Sequence, residues 1–360
     1  MVQHHHPAYL PPDIDIALVY KEMGKALSAL GHLEGSQEKL RNATHLISPL
    51  IAKEAEVSSK IEGTQSSSSD IYVYAAGGKA AFKDTPIVSN YRTAMNTAIR
   101  QLTEGHGLSM FMIRSLHSQL LTGVPYKGVL GDFRKNDVWI AEKDGDPIEK
   151  ALYVPPEHFH VHSYIENILE FVDNYDEMNL VKAGIAHYQF EAVHPFEDGN
   201  GRIGRLLIPL ILFYKGELSL PIVYISGYFE QRPQEYRQAL RTVDSTGRYE
   251  EWLRFYFTAI EQQARETMVL INRIHTLNEQ LREKYKNSKS PYMVRVIDYL
   301  FEAPVFTVPQ IMAELNLPRV TIIRLVNQLE QDKVLQQVQG QKGREGANLY
   351  YFPALLSLIQ

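Results

Sequence analysis

The chain has no cysteine among its 360 residues, which excludes disulfides and cysteine-ligated metal centres and fits a cytoplasmic setting. It also lacks any run of 18 or more apolar residues, so no membrane-spanning helix is expected. The first residues, Met1-Val2-Gln3-His4-His5-His6-Pro7, lack the basic-then-apolar pattern of a secretion signal. The three histidines have no other ligand in their flanks, which argues against a metal role for them. What remains is the composition of an ordinary soluble protein, 44% hydrophobic and 22% charged, long enough for two or three domains.

Against that background one stretch stands apart: His194-Pro195-Phe196-Glu197-Asp198-Gly199-Asn200-Gly201-Arg202-Ile203-Gly204-Arg205. The residues before it, Leu180 to Val193, read as a helix, with Ala183, Ala186, Phe190 and Val193 at spacings of three and four. Pro195 stops that helix, because it has no N–H and disfavours helical geometry in the residue before it. Gly199-Asn200-Gly201 follows, made of residues that tolerate positive φ and can turn successive N–H groups into one concavity for phosphate oxygens. A second helix is expected from near Arg202, with Ile203, Leu206, Leu207, Leu210 and Ile211 as its apolar stripe, Arg202 and Arg205 on the polar side and a kink at Pro209. The turn then sits at a helix N-terminus, where the macrodipole and unpaired N–H groups both favour an anion. Taken singly, His194 reads as a packed histidine, Asp198 as a turn residue and the arginines as a solvated face. Together around one turn they read as a phosphate site with a base beside it, with Phe196 as the plug that anchors the loop.

These twelve residues match the Fic-family signature, His-Pro-Phe-x-Asp/Glu-Gly-Asn-Gly-Arg-x-x-Arg, at every fixed position, so the chain resembles that family. The resemblance implies a mainly α fold: a Fic-type helical core with a β-hairpin flap. It also implies nucleotidyl transfer, most often of AMP from ATP to a protein hydroxyl of Ser, Thr or Tyr, on a target or on the protein itself. His194 is then the general base and Asp198 the Mg²⁺ ligand. Gly199, Asn200 and Gly201 cradle phosphate oxygens, and Arg202 and Arg205 bind the outer phosphates.

Two further segments gain meaning from the resemblance. Val138-Trp139-Ile140 and Leu152-Tyr153-Val154 flank a turn-rich Lys143-Asp144-Gly145-Asp146-Pro147, the pattern of a hairpin within residues 131–155. A surface hairpin with no special role is one reading. The resemblance implies a flap that docks the target protein by strand addition. Upstream, Leu46, Ile47, Leu50, Ile51, Ala55, Val57 and Ile61 keep roughly helical spacing, which puts Glu62 on a helix's last turn and Gly63 just past it, with Ser58 on the same face. Ser58-Ser59-Lys60-Ile61-Glu62-Gly63 resembles the family's inhibitory motif. The resemblance implies an ion pair of Glu62 with Arg205 that competes for the γ-phosphate position, and in some members a role for this glutamate in removing AMP.

Residues 1–83 are expected as an N-terminal helical region, 84–258 as the Fic core, 259–290 as a charged helical connector and 291–360 as a separate domain. Asn90-Tyr91 and Leu116-His117 also look family-like, as do the tyrosines after the motif. Of those, Tyr228 and Tyr236 are candidates for an adenine pocket, with core packing as the alternative. In 291–360, helices are expected at Tyr292–Leu300, at Val308–Leu315 with Thr307 as its cap, and, after an Asn316-Leu317-Pro318 turn, at Val320–Leu329, followed by a hairpin of Val334–Val338 with Leu349–Phe352, which resembles a winged helix-turn-helix. Its six Lys/Arg are matched by six Asp/Glu, so it gains little from phosphate contacts, and protein docking or homodimer formation is favoured over DNA binding. The competing functions are a nucleotide-sensing transcriptional regulator acting through that domain, and transfer of another phosphate-containing group from the same site.

Overall fold

The computed structural model describes residues 3–37, 43–143 and 145–359, leaving the side chains of residues 37 and 43–46 aside. Met1, Val2, Asp144 of the expected hairpin tip and the Leu46 side chain lie outside that description. In chain order the elements begin with α1 (Tyr20–Gln37), α2 (Ala43–Ile61), α3 (Ser68–Ala75), α4 (Thr85–Thr103) and α5 (Met110–Leu121). Then come β1 (Ile140–Ala141), β2 (Ala151–Tyr153), α6 (Val161–Asn174), α7 (Asn179–Val193), α8 (Asn200–Tyr214), α9 (Ser226–Gln231), α10 (Pro233–Thr246) and α11 (Glu250–Lys284). The series ends with α12 (Met293–Glu302), β3 (Val305–Thr307), α13 (Val308–Leu315), α14 (Arg319–Gln331), β4 (Gln336–Lys342), β5 (Asn348–Tyr351) and α15 (Pro353–Ile359). No described helix is long and apolar enough to cross a membrane.

Contacts group these elements into two units: residues 1–32 with 93–264, and residues 33–92 with 265–360. In the first unit, α7 is the central helix. Nearly every residue from Leu180 to Val193 is buried, including Lys182, His187 and Gln189. A helix apolar around most of its circumference belongs in a core, and its few polar groups must find partners there. The Lys182 ammonium donates to the Val172 carbonyl (3.0 Å), and His187 Nε2 is 2.8 Å from the Tyr236 hydroxyl. Burial pulls the His187 imidazole down to about 3, so it is neutral in the fold. Gly184 lets the Tyr256 ring approach where a Cβ would meet it at 2.7 Å, and the Trp252 indole N–H donates to the Gly184 carbonyl (2.9 Å). The expected hairpin forms between β1 and β2, antiparallel with one irregularity in register.

In the second unit, β3, β5 and β4 form an antiparallel sheet in that order, packed with α12, α13 and α14. The expected helix starts hold, and the Thr307 cap is completed by Gln310, which closes a capping box. Asn316 takes the left-handed conformation at the α13 terminus, as an Asn-Leu-Pro turn requires. Two elements went unforeseen. Val305-Phe306-Thr307 adds a strand to the hairpin, too short for an alternation signal, and Pro353–Ile359 forms a final helix. The same unit includes the N-terminal α2 and α3. Ala52, Tyr72 and Ala76 share an apolar cluster with Val305, Leu349, Leu356 and Ile359, and the Ser48 hydroxyl donates to the Glu302 carbonyl (2.7 Å).

Candidate active site

The motif is built on two helix ends. α7 closes at Val193, and His194 takes a left-handed conformation (φ 50°) while its N–H still donates to the Phe190 carbonyl (3.0 Å). A non-glycine residue there carries strain on the order of 1–2 kcal/mol, which the surroundings must offset. Three side chains do so. Arg134 is the first: its Nε donates to the His194 carbonyl (2.9 Å), and its Nη2 to the carbonyls of Val193 (3.3 Å) and Pro156. Its backbone N–H donates to the Pro195 carbonyl (2.9 Å). Burial lowers this guanidinium to about 10, which leaves it charged at neutral pH.

His117 is the second. Its ring stacks on Phe196 (centroids 3.8 Å apart, planes within 7°). Its Nδ1 accepts from the Gly131 N–H (3.1 Å), which leaves Nε2–H to donate to the Asp198 carbonyl (3.1 Å). The two bonds fix one neutral tautomer, and burial draws the imidazole down to about 4. Asn200 is the third, bridging the loop across four residues: its Oδ1 accepts from the Phe196 N–H and its Nδ2 donates to the Phe196 carbonyl, both at 2.8 Å.

The loop delivers the chain into α8. Gly199 is its N-cap at φ 83°, where a Cβ would also meet Leu120 at 3.3 Å. The helix therefore starts at Asn200, two residues before the sequence-based expectation, and runs on through Pro209. Arg202 and Arg205 are not on a solvated face: they are 5% and 2% exposed, because α8 is enclosed on nearly all sides. Two buried guanidiniums beside a helix N-terminus make a strongly electropositive base for the loop. Asp198 itself is exposed, its Oδ1 accepting from the Gly199 N–H (2.5 Å) and lying 3.3 Å from Arg202 Nη2, and His194 is half-buried.

Of the other expected residues in this unit, Tyr236 stacks on Phe229 (4.2 Å) with its hydroxyl on His187, and Tyr228 lies under the Arg232 guanidinium (4.1 Å). Ser58, Glu62 and Gly63 belong to the second unit. Ser58 is buried in the last turn of α2, and Glu62 is exposed one residue past its end. Gly63 has φ 86°; its N–H donates to the Lys60 carbonyl (2.9 Å) and that of Thr64 to the Ser59 carbonyl (3.3 Å), which is a Schellman end.

Residues 20–100 match the family model described as Fic/DOC family N-terminal, and residues 107–212 match the one described as Fic/DOC family; together they take in just over half of the chain. The chain belongs to the Fic/DOC family. Among curated Fic relatives, the protein adenylyltransferase fic-1 of Caenorhabditis briggsae is 29% identical over 150 residues, covering 38% of this chain and 27% of that protein. The protein adenylyltransferase Fic of Drosophila mojavensis is 35% identical over 126 residues, 34% and 22% respectively. The chain spans about a quarter of the length of the curated relatives it matches. A Fic family protein from Desulfovibrio desulfuricans has the same fold over 96% of this chain and 98% of its own (TM-score 0.62, 19% identity). Fic-1 from Caenorhabditis elegans aligns over 71% and 74% (TM-score 0.52, 21% identity).

Within this Fic core, the twelve-residue signature was legible from sequence; of two of its supports, His117 was marked only as family-like, with no role, and Arg134 was not marked at all. His117 sits on the α5 face with Ile113, Leu116, Leu120 and Leu121, so a histidine on an apolar stripe was the available signal. Arg134 gave none, because a buried arginine reads in sequence like a surface one.

Proposed function

We propose that this protein transfers AMP from ATP to a Ser, Thr or Tyr hydroxyl of a target protein and of itself. The observation that carries the reading is the strained His194 turn, closed by Asn200 and leading into an α8 N-terminus underlain by buried Arg202 and Arg205. In the proposed step the acceptor oxygen bonds to the α-phosphorus as the bond to the β-phosphate oxygen breaks. His194 takes the hydroxyl proton and pyrophosphate leaves. The first-turn N–H groups of α8, including that of Gly201, and the two guanidiniums hold the phosphates, so charge stabilisation is preorganised. The Asp198 carboxylate, a hard and exposed oxygen donor, suits Mg²⁺, which would neutralise phosphate charge there. For adenine, Tyr228 is the better of the two candidate tyrosines, since a purine can replace the Arg232 guanidinium on its face, whereas Tyr236 is tied through its hydroxyl.

The reading extends to control and docking. Glu62 restrains the site by pairing with Arg205 in place of the γ-phosphate; in removing AMP the same carboxylate would orient the water that bonds to the AMP phosphorus, as the bond to the protein oxygen breaks and the protein hydroxyl and AMP are released. The Schellman end supports this, because it holds a carboxylate at a helix C-terminus, where the macrodipole disfavours it and a structural role is weak. The β1–β2 flap docks the target backbone. The α12–β3–α13–α14–β4–β5 order reads as a winged helix-turn-helix that docks protein, in a homodimer or a partner, rather than DNA; Val320 is 81% exposed on α14, an apolar side chain where duplex readout needs polar ones. The deciding experiment incubates the Glu62→Gly protein and Mg²⁺ with α- or γ-labelled ATP. Label from the α position alone, lost with His194→Asn, supports AMP transfer; label from the γ position alone indicates phosphate transfer instead.

A further inference from the structure

The N-terminal histidines have no ligand in their own flanks, but the fold brings them one. Residues 4–6 run alongside the segment that follows the flap. The His5 N–H donates to the Val154 carbonyl (2.8 Å), and His4 Nδ1 lies 2.7 Å from the Pro155 carbonyl. That places His6 beside Glu157 and His160. Glu157 caps a single 3₁₀ turn, His158–His160, whose His160 N–H donates to the Glu157 carbonyl (3.0 Å), so one hydrogen-bonded turn holds the two residues close together.

The geometry points to a transition-metal site, of the zinc class, made by His6 Nε2, Glu157 Oε2 and a ring nitrogen of His160. The ligand atoms of the three all lie within 4.8 Å of one another, and His6 Nε2 is 3.3 Å from Glu157 Oε2. Zinc at about 2.0 Å from each ligand in a tetrahedron needs ligand pairs about 3.3 Å apart. The first pair is already at that spacing, and His160 reaches it by a side-chain rotation. Glu157 Oε2 is buried without a hydrogen bond, which gives the site an acceptor awaiting a partner. Two imidazoles and one carboxylate select a borderline cation over Mg²⁺ or Ca²⁺, and the fourth position is left for water.

The site's place in the fold gives it a function. Arg134 donates both to Pro156, one residue before Glu157, and to the His194 carbonyl. A metal on Glu157 and His160 staples the N-terminal segment to the base of the flap, on the same chain segment that braces the motif. Both histidines and the glutamate are far from Asp198 in sequence and in chemistry, so the two cation sites are separable by metal identity.

The test uses the full chain prepared without an affinity tag. Zn²⁺ is titrated calorimetrically, and bound metal is counted by mass spectrometry after dialysis, for the natural chain, His160→Ala and Glu157→Gln. We expect one zinc per chain, undiminished by millimolar Mg²⁺, with affinity falling at least about tenfold in each variant. Saturating zinc should raise the melting temperature by about 5 °C in the natural chain and not in the variants. Circular dichroism without metal checks that each variant folds as the natural chain does, so that a loss of zinc is read against an intact fold. Absence of stoichiometric zinc overturns the proposal. So does zinc retained at unchanged affinity by both variants, which would assign the metal to the histidine run alone.

Discussion

The loop at 194–205 and the helix end at 58–63 solve the same local problem in opposite ways. Each closes a helix with a left-handed residue. In the motif that residue is His194, a side chain that pays a steric penalty at φ 50°; at α2 it is Gly63, which pays none at φ 86°. The motif's cost is met by contacts from far along the chain, Arg134 and His117 being 60 and 81 residues from the groups they hold. The α2 end is closed by bonds within residues 59–64. On the proposed reading the difference has a reason: a reacting centre must stand still and is over-determined, whereas a restraint that has to be relieved can be closed by local bonds.

The sharpest way to break that contrast is at His194 itself. His194→Asn keeps a side chain that tolerates the left-handed region, so the backbone is spared and only the base is lost. The transfer rate should fall by roughly 10²–10⁴-fold with the KM for ATP little changed, measured by label transfer from α-labelled ATP. A variant as active as the natural chain would mean that the strained residue serves the fold and not the chemistry.

Arg134→Lys asks whether the scaffold matters as a scaffold. Lysine keeps the charge but cannot reach the His194, Val193 and Pro156 carbonyls from one planar group. A displacement of the base by about 1 Å is enough to cost on the order of 10²-fold in rate. The expected result is a kcat loss of that order, with melting lowered by several degrees. If stability falls while kcat holds, the clamp is structural only.

These two residues also mark where sequence reading ends. His194, Asp198 and the arginines are legible because their types and spacing are rare in combination. Arg134 is not, and His117 is legible only as a family-like position without a role, because what matters about both is burial and reach. For Arg202 and Arg205 the motif was legible but the burial was not: their spacing suggested a polar face that the surrounding helices in fact enclose. Thr307 was readable as a cap because capping is local chemistry, whereas β3, three residues long, exists only through its pairing with β5.

The pH dependence of the first unit sharpens the contrast further. His117 is held near 4 against an unfolded value of 6.5, so between those pH values the unfolded chain binds the extra proton. Stability is therefore fully present above pH 6.5 and is lost as pH falls towards 4, by at most about 3 kcal/mol from this group. His187, held near 3, acts in the same direction. Denaturant titrations from pH 8 to 4 should show the decline, and His117→Phe, which keeps the ring against Phe196, should flatten part of it. An undiminished slope in that variant would remove His117 from the account.

The smallest effects belong to the α2 end, and they decide whether it is a restraint at all. Glu62→Gly should raise self-modification by about tenfold to hundredfold, the range of a single coupling contact, without changing the melting temperature by more than a degree or two. Gly63→Ala keeps the carboxylate but strains the turn that presents it: an added Cβ meets nothing within 4 Å, so the penalty is conformational alone, about 1 kcal/mol. If Glu62 acts through its position, Gly63→Ala should release activity by only about fivefold, since the same carboxylate still populates its place most of the time. Were Gly63→Ala as active as Glu62→Gly, the turn and not the charge would be the restraint. If neither variant changed the rate, the Ser58–Gly63 segment would be a helix end like any other, and the motif would run unrestrained.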